Sequence, residues 1–143
     1  MSATEVLVTG MGSVSSLGVW QGLIDVPARA PAPITRWPTS GLRRANLVPR
    51  FRADEVVPGF KARRLDRLTV WSVTAAHLAL EDAGLDVASW NPARVAVVCG
   101  TGFGCLERTE AFLASAERYG YGGADAIVFP ETLANSPAGH VAR

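Results

Sequence analysis

Cys99, Cys105, His77 and His140 are the side chains of this 143-residue chain best suited to nucleophilic or metal chemistry. Nucleophilic catalysis needs a thiol or hydroxyl beside a base, and no local motif links these four. The cysteines do not form a CxxC pair and have only two histidines as further soft ligands, so neither a zinc site nor a disulfide framework is expected, and no metal or cofactor. Cys99 closes an apolar run and reads as a small core hydrophobe. Cys105 stands where a helix begins, a place that favours the thiolate and so allows a reactive role. His77 falls within an apolar helical pattern and reads as structural.

Two glycine-rich segments, Gly10-Met11-Gly12 and Gly100-Thr101-Gly102-Phe103-Gly104, could bring backbone amides to a phosphate. Neither has the full G-x-G-x-x-G spacing. The first is not followed at once by an amphipathic helix, and no acidic residue ends a second strand about 20 residues on. Tight turns in a packed α/β layer are the simpler reading, with a nucleotide-binding α/β domain kept as a remote alternative.

Charge offers a third kind of chemistry. Fourteen basic against thirteen acidic residues leave a formal charge of +1, which gives no global electrostatic case for nucleic acid or an anionic membrane. Yet Arg43, Arg44, Arg50, Arg52, Lys61, Arg63, Arg64 and Arg67 put eight of the fourteen basic residues in one quarter of the chain, with only Asp54, Glu55 and Asp66 among them. A local positive patch survives there that can steer an acidic protein partner; the plainer reading is that these groups are solvated or pair with Asp54 and Glu55.

The elements that must position these groups follow from pattern. Glu5 to Val8 is a short apolar strand signal ending near Gly10. Residues 26–58 hold six of the nine prolines and read as a loop-rich excursion. Arg67 to Ala83 is the clearest helix: Leu68, Trp71, Ala75 and Leu78 recur at spacings of three and four, Asp66 can cap it and Gly84 can end it. Its apolar girth places it inside a layered structure. Asn91 to Ala93 make a turn, and Arg94 to Cys99 reads as a strand buried on both faces. A second helix runs from about Leu106 to Tyr119, a Gly-rich loop spans Tyr119 to Asp125, Ile127 to Phe129 is a short apolar run, and Leu133 to Arg143 can close the chain as a helix despite Pro137. This order fits an α/β layered fold in one domain, residues 1–143. Hydrophobic residues make up 48% and charged ones 19%, the latter below the roughly 25% of an ordinary soluble domain, which points to a buried partner surface. No stretch reaches the roughly 18 apolar residues of a membrane span and no secretory leader is visible, so a cytoplasmic location is expected.

Taken together, Val8-Thr9-Gly10-Met11-Gly12-Ser13-Val14-Ser15-Ser16-Leu17-Gly18, Arg63-Arg64-Leu65-Asp66-Arg67, Ala79-Leu80-Glu81-Asp82-Ala83-Gly84-Leu85, Gly100-Thr101-Gly102-Phe103-Gly104, Phe129-Pro130-Glu131-Thr132-Leu133-Ala134-Asn135 and Ala138-Gly139-His140-Val141-Ala142 resemble the N-terminal part of the β-ketoacyl synthases. These are the condensing enzymes of fatty-acid and polyketide assembly. The resemblance implies the N-terminal part of a layered α/β thiolase-like fold, an incomplete half-domain. It implies a place in decarboxylative condensation of malonyl-carrier protein with an acyl thioester, and for partners an acyl carrier protein and either a ketosynthase partner chain or the remainder of the synthase, as a dimer. Two departures stand out: Trp20 follows Leu17-Gly18 almost at once, with Pro27 to Pro33 where the family has a turn, and the family's nucleophilic Cys and later His pair match nothing here. Cys105 matches a position often occupied by Gly.

By the same resemblance Phe103 looks like the gate at the bottom of the acyl pocket, and Phe129 and Thr132 look like residues reaching that pocket across the dimer. Core packing is the plainer reading of both Phe residues. Arg63 and Arg64, with Lys61 adjacent, match the positive patch that receives the carrier protein. The expectation is a synthase fragment inactive by itself, with no catalytic residue of its own. The alternative is a non-catalytic, chain-length-factor-like partner of an active ketosynthase.

Overall fold

The computed structural model describes residues 5–23, 31–33, 41 and 43–143. The rest of the 26–58 excursion lies outside the described residues.

A single long helix organises the chain. It is α2, Arg67–Ala83, following a one-turn α1, Ala53–Val56. Its bounds are those that the periodicity and caps predict. The Asp66 carboxylate accepts from the Leu68 amide at 2.8 Å, and Gly84 closes the helix with a left-handed φ of 62° that glycine adopts without a Cβ penalty.

On one side of α2 lies an antiparallel hairpin, β1 (Gly12–Ser15) and β2 (Gly18–Gln21), in which Val14 pairs with Val19 and Ser13 with Trp20. The Met11 amide donates to Asp82 Oδ2 at 2.9 Å and fastens the hairpin to the last turns of α2. The Gly10-Met11-Gly12 segment finds its purpose here. A Cβ on Gly12 would collide with the Ala75 carbonyl, and one on Gly10 with the Ala79 carbonyl. Ala75, Ala79 and Ala83 form a small-residue stripe on the helix, and only a bare backbone approaches it so closely.

A second small ladder joins β3 (Ala32–Pro33) to β4 (Arg44–Ala45). Beyond α2, Asp86 and Asn91 cap two 3-10 turns, Val87–Ser89 and Pro92–Arg94, and α3 follows at Leu106–Tyr119, again with the predicted bounds. A 3-10 turn at Phe129–Thr132 packs on α3. The last helix, α4 (Ser136–Val141), packs on α2. It is shorter than the expected Leu133 to Arg143: Pro137 falls in its first turn, where the missing amide is harmless, so the helix starts there.

Both long-range strand expectations need correction. Residues 5–8 and 95–99 enter no ladder, and their apolar side chains are exposed, Val98 to 93%. Alternation and hydrophobicity describe a segment able to be a strand, but a strand exists only when a neighbour accepts its hydrogen bonds, and neither segment enters a ladder with any described residue. Cys99 is therefore exposed rather than a core hydrophobe. Among the described residues no helix is long and apolar enough to cross a membrane.

Candidate functional site

The N-termini of α2 and α3 converge on one carboxylate. Asp66, only 3% exposed, caps α2 through Oδ1 and through Oδ2 accepts from the Arg108 amide in the first turn of α3 at 3.1 Å. The Arg108 guanidinium returns to the Leu65 carbonyl with two hydrogen bonds of 2.9 and 3.1 Å, and the Arg67 and Glu107 side chains pair at 2.7 Å. Two helix dipoles thus share one negative charge. The capping role was readable from the sequence; the bridge to α3 was not, because nothing local in the sequence links residues 66 and 108.

Cys105 sits beneath this junction, 1% exposed, with its Sγ 3.9 Å from Thr69 Oγ1. Burial pushes its thiol up from the ordinary value and outweighs the hydrogen bond from Thr69 that favours the thiolate. The reactive role allowed for Cys105 is corrected accordingly: loss of hydration defeats the helix N-terminus. His77 is a half-buried side chain of α2 whose Nε2 lies 3.3 Å from Glu81 Oε1 without a hydrogen bond to it.

Phe129 and Thr132 share the 3-10 turn against α3. The Phe129 ring leans on Phe112 with centroids 5.4 Å apart and planes tilted by 57°, while remaining 51% exposed. The Thr132 hydroxyl donates to the Phe129 carbonyl at 2.7 Å, and the Thr132 carbonyl accepts from Thr109 Oγ1 at 3.4 Å. Phe103 is on the neighbouring glycine-rich loop, 86% exposed; that loop is closed by the Gly104 amide donating to Thr101 Oγ1 at 3.0 Å, and Gly104 lies against Ala134. The structure therefore puts Phe129 and Thr132 on one turn and Phe103 on the loop beside it, with its ring in solvent.

A network that the sequence did not disclose holds this turn to α4. Glu131 Oε1 lies 3.0 Å from His140 Nε2, and Glu131 Oε2 accepts from Ser136 Oγ at 2.8 Å, with the Glu131 and His140 side chains largely buried. Ser136 and His140 are one turn apart on α4, but nothing periodic in the sequence links either of them to Glu131 on the preceding turn.

The basic residues are divided in their occupations. Arg52 is held by Asp54 at 2.6 Å and lies 3.4 Å from Glu55, which uses both carboxylates that sequence reading offered to the arginine run. Arg67 is paired with Glu107 and lies over the Trp71 ring at 5.7 Å. Lys61, Arg63 and Arg64 are exposed, and no described acidic group pairs with them. Arg63 and Arg64 are the middle pair of a tight turn in which the Leu65 amide donates to the Ala62 carbonyl at 3.2 Å. Ala62 and Leu65 line an open groove of about 950 Å³ between residues 47–52 and the first half of α2, with Phe51 and Trp71 on its walls.

Comparison with known proteins gives this arrangement its family. The 3-oxoacyl-[acyl-carrier-protein] synthase 2 of Vibrio harveyi is 30% identical over 99% of this chain and 35% of its own length. Among solved structures, the ishigamide ketosynthase/chain length factor superposes with a TM-score of 0.77 at 24% identity, covering 95% of this chain and 36% of that one. A type II PKS acyl-carrier protein in complex with its ketosynthase bound to the hexaketide gives 0.68 at 20% identity over 94% of this chain and 38% of that one. At those identities the two structures speak for the fold, the N-terminal part of the α/β thiolase-like architecture. The chain spans about a third of the length of these relatives. The family model described as "Beta-ketoacyl synthase, N-terminal domain" matches residues 3–143, and the chain belongs to that family as an N-terminal ketosynthase domain of the condensing enzymes.

Proposed function

We propose that residues 1–143 act as the N-terminal domain of a synthase that condenses malonyl-carrier protein with an acyl thioester, with 26–58 as a loop excursion within it. The observation that carries this reading is the family match across residues 3–143. In that reaction malonyl decarboxylation releases carbon dioxide, and the resulting carbanion attacks the thioester carbonyl and expels the thiol. The domain's own share is binding. Lys61, Arg63 and Arg64 offer an exposed cationic turn that no described acidic group pairs with, whose flanking residues Ala62 and Leu65 line the groove, suited to the acidic surface of an acyl carrier protein. Phe103, Phe129 and Thr132 offer an apolar wall with one hydroxyl, suited to an acyl chain once a second chain covers it. The exposed segment 95–99 and the outer face of α3, where Leu106 and Leu113 are exposed, supply apolar surface for that partner.

None of Cys99, Cys105, His77 and His140 matches the family's nucleophile or His pair, so the 143-residue chain alone is expected to form no carbon–carbon bond. Condensation of malonyl- and acyl-carrier thioesters by the purified chain, persisting after removal of contaminating synthase, would overturn that. A second reading, a chain-length-factor-like partner that shapes another subunit's pocket, draws on the fold likeness to the ishigamide ketosynthase/chain length factor. Adding the chain to an active ketosynthase separates them: a shifted product length supports the partner role, and no effect supports the synthase domain.

A further inference from the structure

A cavity of about 560 Å³ opens between residues 57–61, α2 and the end of α4. Small-molecule sites usually hold about 300–1,000 Å³. Phe60, Val73 and Leu80 give the cavity apolar walls, Lys61 and Arg143 bring two positive charges to it, and no Asp or Glu lines it. The nearest acids are engaged elsewhere: Glu131 by Ser136 and His140, and Glu81 beside His77. Both histidines line the cavity. His140 has its Nε2 committed to Glu131, whereas the Nε2 of His77 is buried without a hydrogen bond. Two like charges on one hollow repel each other when no counter-charge lines it, and a buried ring nitrogen without a partner is costly. An anion that carries an apolar body answers both.

We propose that this cavity binds a small monocarboxylate with an apolar tail, the carboxylate drawn to Lys61 and Arg143 and the tail laid on Phe60, Val73 and Leu80. The site stands apart from the carrier-docking reading, because neither Arg63 nor Arg64 lines it. Both halves of the ligand are needed. Exposed cations hold a bare carboxylate weakly, since water and salt screen them, and an alcohol of the same length leaves the two charges unanswered.

Hexanoate is the probe, with acetate as the charge-only control and 1-hexanol as the tail-only control. Each is titrated into the full chain and followed through the ring NMR signals of its two histidines, which His77→Gln assigns. Hexanoate should shift the His77 signals saturably with a Kd of about 1 mM, and acetate and hexanol should bind at least about tenfold more weakly. Lys61→Gln combined with Arg143→Gln changes two exposed side chains and leaves the apolar walls intact. It should weaken hexanoate about fivefold, and salt at about 0.5 M should weaken the parent in the same direction. Arg63→Ala combined with Arg64→Ala should leave hexanoate binding unchanged, which keeps this test separate from carrier docking. The inference is wrong if His77 gives no saturable shift up to about 20 mM hexanoate, if hexanol binds as tightly as hexanoate, or if the Lys61 and Arg143 double variant binds like the parent.

Discussion

Removing the Asp66 carboxylate should loosen two helices at once. Asp66→Ala deletes the N-cap of α2, which is worth about 1 kcal/mol. It also leaves the Arg108 amide, bonded at 3.1 Å in a partly buried position, without its acceptor. An orphaned amide of that kind costs about 1–3 kcal/mol. Losing the negative charge shared by two helix N-termini takes away a few tenths of a kcal/mol more at each. The sum is about 3–4 kcal/mol, which for a domain of this size is a fall in Tm of about 10–14 °C. Asp66→Asn separates the contributions. Its amide oxygen can still accept from Leu68, but its NH2 then faces the Arg108 N–H, donor against donor, so about half of the loss is expected. Thermal melts followed at 222 nm measure both variants, and hydrogen exchange at Arg108 reports the α3 end directly. A Tm for Asp66→Ala within about 3 °C of the parent, or an Asp66→Asn variant as damaged as Asp66→Ala, would refute the shared-carboxylate account.

Gly12→Ala should cost at least about 3 kcal/mol and yield little folded protein, because its Cβ meets the Ala75 carbonyl and lies 2.7 Å from the Ala79 amide nitrogen. Gly139→Ala, with open space around it inside α4, should instead stabilise by up to about 1 kcal/mol in the same melts. A thiol-reactive disulfide reagent at pH 8 should label exposed Cys99 quickly and Cys105 only on unfolding; equal rates would contradict the burial of Cys105. The folded state raises the Cys105 thiol above its ordinary 9.0, so this group's stabilising contribution is complete below pH 9 and falls as pH rises beyond it, which urea titrations at pH 8 and pH 10 can check. Sedimentation at micromolar concentration should show the isolated chain self-associating through segments such as 95–99, and a clean, cooperatively folding monomer would oppose that.

The two main helices were fully legible in the sequence, down to their end residues, because helix formation is settled within a few residues. Leu68, Trp71, Ala75 and Leu78 mark the face, Asp66 starts the helix and Gly84 stops it. Family membership was legible for a related reason: short motifs in fixed order survive where overall identity is near 30%. The candidate site was readable only as residue types. That Asp54 and Glu55 go to Arg52, with no described acidic group left to pair with Arg63 and Arg64, that Asp66 reaches Arg108, and that Glu131 reaches Ser136 and His140 on α4 are facts of three-dimensional proximity that no period in the chain announces. The segments at 5–8 and 94–99 mark the same boundary from the other side. Their apolar residues announce strands, but a ladder is a property of a pair, and the sequence of one member cannot supply the neighbour that completes its hydrogen bonds.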